Sequence, residues 1–235
     1  MLRHVGDKRN FKHDLRLAIL LCSNAGFINA AGFLAFGVLT TNVTGHAALM
    51  AVNVAESNLR VARMAALWLV LFLLGAFCSG FIISRVGRYK SSAYTIPIIA
   101  IMGIVVAVAI FGSGYTHAIH QTEYFAGSLL FAMGMQNALV SMISGSVVRT
   151  THLTGMFTDL GIDLSAAATK TATRTTKNRI VLRLTIISFF LVGGIVGGFI
   201  FLWLGFRSFF IPAGILAIAL FYDHLRIRFA RALRK

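Results

Sequence analysis

The 235 residues carry a formal net charge of +15, yet only 12% are charged and 57% are hydrophobic, with a mean hydropathy of +0.81. Soluble domains run nearer about one quarter charged, which excludes an ordinary soluble globular protein. The Lys and Arg residues fall between apolar runs and at the two chain ends, not on one face interleaved with aromatics. That distribution argues against a nucleic-acid partner and reads as membrane-flanking anchors.

In chain order, a basic segment at 1–14 precedes a first apolar run at 15–36. This run is longer than a signal-peptide core, and its motif residues recur later, so it is expected to be retained. Further runs long enough for a span of roughly 20 residues lie at 65–84, 93–112, 124–144 and 180–204, and a shorter one at 209–222. An outer loop is expected at 113–123, with His117 and His120 solvated, and a second basic end at 223–235. Two more segments, 42–56 and 152–165, are apolar but short and polar-spotted, as re-entrant or broken helices are. Cys22 and Cys78 lie inside apolar runs and read as buried small hydrophobes. The Thr- and Lys-rich stretch 166–179 reads as a basic, lipid-facing linker.

The chain repeats itself. Thr40-Thr41-Asn42-Val43-Thr44-Gly45 recurs as Thr150-Thr151-His152-Leu153-Thr154-Gly155. Gly26-Phe27-Ile28-Asn29-Ala30 precedes the first copy and Gly134-Met135-Gln136-Asn137-Ala138 the second. Phe72 to Ile82 and Phe190 to Ile200 match next, and then Gly87 with Ile96-Pro97 matches Gly205 with Ile211-Pro212. Four collinear blocks predict a duplication, with copies at 15–112 and 124–222. If both short segments are re-entrant, six spans put 19 Lys and Arg on the side of the termini and 3 on the other; eight crossings would split them 17 to 5. The absence of Lys and Arg from 114–123, and the presence of Arg85, Arg88 and Lys90 in the preceding loop, favour six spans with both termini cytoplasmic. Three spans per copy then make the repeats inverted. The expected fold is therefore an all-α integral membrane protein with six spanning helices, two short broken segments and two inverted repeats.

Inverted repeats with broken helices are a recurring transporter architecture, with the solute site where the copies meet. The candidate solute-contacting residues are Asn29, Asn42, Thr44, Gly45, His46, Gln136, Asn137, His152, Thr154, Gly155, Asp159 and Asp163. Thr44 and Thr154 read equally as helix N-caps. Asn29, Asn137 and Gln136 read also as interhelical hydrogen-bonding amides, and His46 and His152 as hydrogen-bonded core histidines. Asp159 and Asp163, four apart, share a helix face. They are either an ion or proton site within the membrane or wet carboxylates paired with Lys170 or Arg174. Gly75 to Gly80 and Gly193 to Gly198 are expected to be small faces for close helix packing. Glu56, Arg60 and Arg63 are expected to form a local ion pair at the end of the first short segment. No nucleophile–base pair, phosphate loop or metal-ligand cluster is readable, so no enzyme activity, cofactor or metal is expected.

The chain resembles the YoaK-like family, bacterial inner-membrane proteins grouped as a domain of unknown function. The residues carrying the likeness are Gly26, Asn29-Ala30, Phe33-Leu34, Asn42, Thr44-Gly45, Gly134, Gln136-Asn137-Ala138, Arg149-Thr150-Thr151, Thr154-Gly155 and Thr158-Asp159-Leu160. The chain departs from the family's pattern at Asn29, where an Asp is usual, and at His46, where an Asn is. The resemblance implies a bacterial inner-membrane location but no substrate. Two functions follow as expectations. One is a carrier or channel for a small polar or anionic solute, with proton coupling an option; the other is a non-transporting membrane scaffold or interaction protein. The bilayer and a small polar solute are the expected partners, and an oligomer is compatible with either reading.

Overall fold

The structure is a computed structural model and describes residues 10–116 and 118–232, with side chains through 221 apart from that of Ile119. Arg3, Lys8, Arg9, His117, Arg234 and Lys235 lie outside the described residues. Among the described residues, eight α-helices follow one another: α1 (Phe11–Phe36), α2 (Val43–Ala55), α3 (Leu59–Val86), α4 (Ser92–Phe111), α5 (Ile119–Ser144), α6 (Leu153–Ala168), α7 (Arg174–Leu204) and α8 (Phe210–Ala232). The described residues contain no strand.

Local chemistry sets the helix ends. Asn10 opens α1 with a reciprocal cap: its side chain accepts from the His13 N–H at 3.1 Å, and the His13 ring accepts from the Asn10 N–H. Thr173 and Thr176 do the same for α7. α1 and α5 both stop at a glycine in the left-handed region, Gly37 (φ 69°) and Gly145 (φ 62°). Because Thr173 starts α7 early, the predicted linker shrinks to the residues between Ala168 and Arg174. Asn58 accepts from the Val61 N–H and so starts α3 early as well, which puts Arg60 and Arg63 inside that helix. No ion pair joins them to Glu56 among the described residues.

Among the described residues, five stretches are long and apolar enough to cross a membrane: Phe11–Phe36, Leu59–Val86, Ser92–Gly114, His120–Ser144 and Arg174–Phe221. The fifth contains α7 and the start of α8, divided by the 3-10 turn Gly205–Phe209. The last two of the six runs read from the sequence both lie within it. In α1 and α5, 61% and 67% of the apolar window is buried, against 22% in α3, so α1 and α5 sit at the centre and α3 at the periphery. The outward faces of α3 and α7 expose Val70, Leu73, Phe77 and Phe81, and Leu191, Val192, Ile195 and Phe199. A water-facing surface does not carry apolar stripes of that extent. This is the helix length and surface of a membrane protein.

The packing is paired. α1 packs chiefly on α7 and α3 chiefly on α5, while α2 lies on α3 and α6 on α7. Glycines bring the main pairs into backbone contact. A Cβ added at Gly26 would stand 2.0 Å from the Phe190 carbonyl oxygen, and one at Gly193 would stand 2.1 Å from that of Ser23. In the other pair, a Cβ at Gly134 would stand 2.1 Å from the Phe72 oxygen and one at Gly75 2.0 Å from that of Phe131. These are the same contacts transposed from one sequence copy to the other. Gly80 and Gly198 differ: their nearest neighbours stand at an ordinary 3.8 Å.

Candidate functional site

α1 ends at Gly37 and α5 at Gly145, and each chain then turns through its Thr-Thr motif into a short helix, α2 or α6. The two turns come together around a cavity of about 560 Å³. Its lining comprises Asn29, Leu39, Thr41, Asn42, Val43, Thr44 and Phe72 from the first copy, and Asn137, Ser141, Arg149, Thr151, His152, Leu153, Thr154 and Phe190 from the second. Fourteen of these fifteen residues form seven repeat-equivalent pairs, such as Asn29 with Asn137 and Thr44 with Thr154; only Ser141 stands outside the pairing. The volume suits a small molecule, and the wall mixes hydroxyls, amides and one guanidinium with two Phe rings.

Thr44 and Thr154 do not cap their helices. The cap position before α2 is Asn42, whose side chain accepts from the Gly45 N–H at 3.0 Å. Before α6 it is His152, and no side-chain cap bond forms there. Thr44 and Thr154 fall in the first turn, on the cavity wall. Gly45 and Gly155 lie under the side chains of the N-cap residues: a Cβ would reach 2.3 Å from the Asn42 amide and 2.2 Å from the His152 ring. Their small size lets those side chains fold over the helix start.

Of the twelve candidate residues, Asn29, Asn42, Thr44, Asn137, His152 and Thr154 line the cavity. Gly45, His46, Gln136, Gly155, Asp159 and Asp163 do not. His46 bonds the Leu39 carbonyl through Nε2 at 2.7 Å and packs on Trp68. Gln136 accepts from Asn24 at 2.7 Å and donates to the Leu21 carbonyl at 2.9 Å, joining α5 to α1. Asp163 is held by Arg179 through both carboxylate oxygens, at 2.9 and 3.2 Å, and by Arg183. Arg183 also donates to Asp159, to the carboxylate at 3.1 Å and to the backbone carbonyl at 3.0 Å. The partners are thus Arg179 and Arg183, not Lys170 or Arg174, and the cluster staples α6 to α7.

The sequence-derived candidates did not include the lining residues Leu39, Thr41, Val43, Phe72, Ser141, Arg149, Thr151, Leu153 and Phe190. The repeat offset itself was the available signal for Arg149, which occupies the place of Leu39 and so is the one position where a matched pair sets a charge against an apolar residue at the turn.

The two ends of the site differ. Near the second turn lies another cavity, of about 460 Å³, whose wall includes Asn10, Asp14, Arg88, Tyr89, Ser144, Val147 and Arg179. The segment from Ser144 to Arg149 runs between the two cavities, and the Ser144 hydroxyl clips it by accepting from the Val148 N–H at 2.9 Å. The repeat equivalent of Ser144 is Phe36. That ring packs against Tyr115 (5.1 Å), Phe206 (5.7 Å) and Phe125 (5.8 Å).

The chain belongs to the family described as protein of unknown function DUF1275, whose sequence model matches residues 17–222. No curated protein and no solved structure matches it.

Proposed function

We propose that this DUF1275 protein is a non-enzymatic carrier or channel, built from two inverted repeats that form six spans, and that it moves a small polar solute through the central cavity. The observation that carries this reading is the lining itself: seven repeat-equivalent pairs contributed by two broken helices. A duplicated scaffold needs tight packing at its axis and has no use for a polar cavity there, whereas a carrier needs a site that either half can expose. The transposed contacts Gly26–Phe190 and Gly134–Phe72 support the repeat. The distribution of Lys and Arg supports cytoplasmic termini, and the YoaK-like resemblance supports a bacterial inner-membrane location. Asp159 and Asp163 have no part in transport on this reading, since their charges are neutralised by Arg179 and Arg183.

The test is flux into proteoliposomes, using a panel of small anionic, neutral and cationic solutes. The double variant T44V/T154V keeps side-chain shape and removes two hydroxyls from the wall. At about 1 kcal/mol for each lost hydrogen bond, flux of the transported solute is expected to fall by roughly tenfold or more. Unchanged flux would remove the two turns from the site. A panel in which no solute moves and none raises the melting temperature would favour the scaffold.

A further inference from the structure

We propose that the central cavity is an anion site with Arg149 as its charged ligand. This inference rests on the cavity being a solute site and names the class of solute. Arg149 is the only charged side chain in the lining, which holds no carboxylate. Asp159 and Asp163 are committed to Arg179 and Arg183, and no ion pair reaches Arg149 among the described residues. The Arg149 side chain is exposed, so its guanidinium is accessible to a solute entering the cavity. Its planar fork suits a carboxylate or an oxyanion of phosphate type. The rest of the wall is rich in donors: the hydroxyls of Thr41, Thr44, Thr151 and Thr154, and the amides of Asn29 and Asn137. Both short helices also begin at this wall, with their positive dipole ends there.

The probes are inorganic phosphate and acetate, compared with glycerol and methylammonium, on the full-length protein in detergent and in proteoliposomes. At least one of the two anions is expected to raise the melting temperature and to move across the membrane. R149L installs the residue that the first copy already carries and is expected to weaken that anion about tenfold or more; R149K retains part of the effect. Stabilisation by an anion without flux would keep the anion site and overturn the transport reading. Glycerol or methylammonium flux equal to that of the anions, and unchanged in R149L, would keep transport and overturn the anion site.

A second inference stands on a different observation. Asn29 and Asn137 are identical and repeat-equivalent, as are Thr41 and Thr151. The Asn29 Oδ1 accepts from the Thr41 N–H at 3.1 Å, whereas the Asn137 Oδ1 is buried with no partner. The side chains and their backbone partners are of the same kind, so each Asn can chemically make the bond that the other makes. The geometry points to one state of a two-state device: in the other state Asn137 takes the Thr151 N–H and Asn29 releases Thr41. The second turn is the disengaged one, and it lies beside the 460 Å³ cavity.

The reporter is a cysteine at Ser141 on a background lacking Cys22 and Cys78, labelled with a membrane-impermeant maleimide from each face. N137A removes a bond made only in the other state. N29A removes a bond made only in this one. The ratio of labelling between the two faces is expected to shift in opposite directions, about fivefold each for a bond worth about 1 kcal/mol. Shifts of the same sign, or none in either variant with folding retained, would overturn the device.

Discussion

Alanine at Gly26 is expected to destabilise the purified protein by about 3 kcal/mol, the upper end of what overpacking a tight contact costs. The neighbour is the Phe190 backbone carbonyl, 2.0 Å from where the Cβ would stand, so no side chain can turn away to make room. The axes of α1 and α7 must separate instead. In a bilayer such close contact is much of what holds helices together, because burying Leu against Leu gains little over burying it in lipid. Gly134→Ala meets the Phe72 carbonyl at 2.1 Å and is expected to cost the same to within about 1 kcal/mol. Gly103→Ala is the control: nothing lies within 4 Å of its added Cβ, and helix propensity alone predicts a gain of about 1 kcal/mol. Reversible denaturation in mixed micelles reads all three. Gly26 and Gly134 variants as stable as the Gly103 variant would mean that the α1–α7 and α3–α5 contacts do not hold the fold.

The other large effect is expected at the charged staple. Asp163 is 5% exposed and receives Arg179 on two oxygens and Arg183 on one. Asp163→Leu leaves two guanidinium groups without it. Breaking a buried pair from one side costs about 3–5 kcal/mol, and the half-exposed Arg179 brings the expected loss to about 2–3 kcal/mol. The first copy shows how the same position is filled without charge. There Leu49, Asn53, Val61 and Ala65 stand where Asp159, Asp163, Arg179 and Arg183 stand in the second, and the Asn53 amide bonds the Leu49 carbonyl at 2.8 Å. The quadruple variant D159L/D163N/R179V/R183A transplants that arrangement and is expected to recover most of the stability lost by Asp163→Leu alone. A quadruple variant less stable than the single one would show that the cluster does more than join α6 to α7.

The positions of the helices were legible because apolar run length is a property of the sequence alone. Every expected run falls within a helix or a helical stretch, with ends displaced by a few residues where a cap such as Asn58 or Thr173 recruits polar residues into the first turns. The same repeat that marked the two Thr-Gly turns could not say which of their side chains face inward. Thr44 and Thr154 reach the cavity wall. His46 and Gln136, equally polar and equally close to the motifs, are instead consumed by the Leu39 carbonyl and by Asn24 with the Leu21 carbonyl. Asp159 and Asp163 stood out as carboxylates in an apolar helix, but the arginines that neutralise them lie sixteen to twenty-four residues away on another helix.

Taken by itself, the sequence determined the long apolar helices and their approximate positions and displayed the matching motifs of its two halves, since hydropathy and self-similarity are one-dimensional properties. Tertiary structure decided that the two turns share one cavity, that Arg149 stands in its wall where the first copy has Leu39, and that Asp159 and Asp163 meet Arg179 and Arg183. It also decided that Asn29 is engaged and Asn137 is not. Each of these depends on which side chains meet across helices far apart in the chain, and no local pattern of residues carries that information.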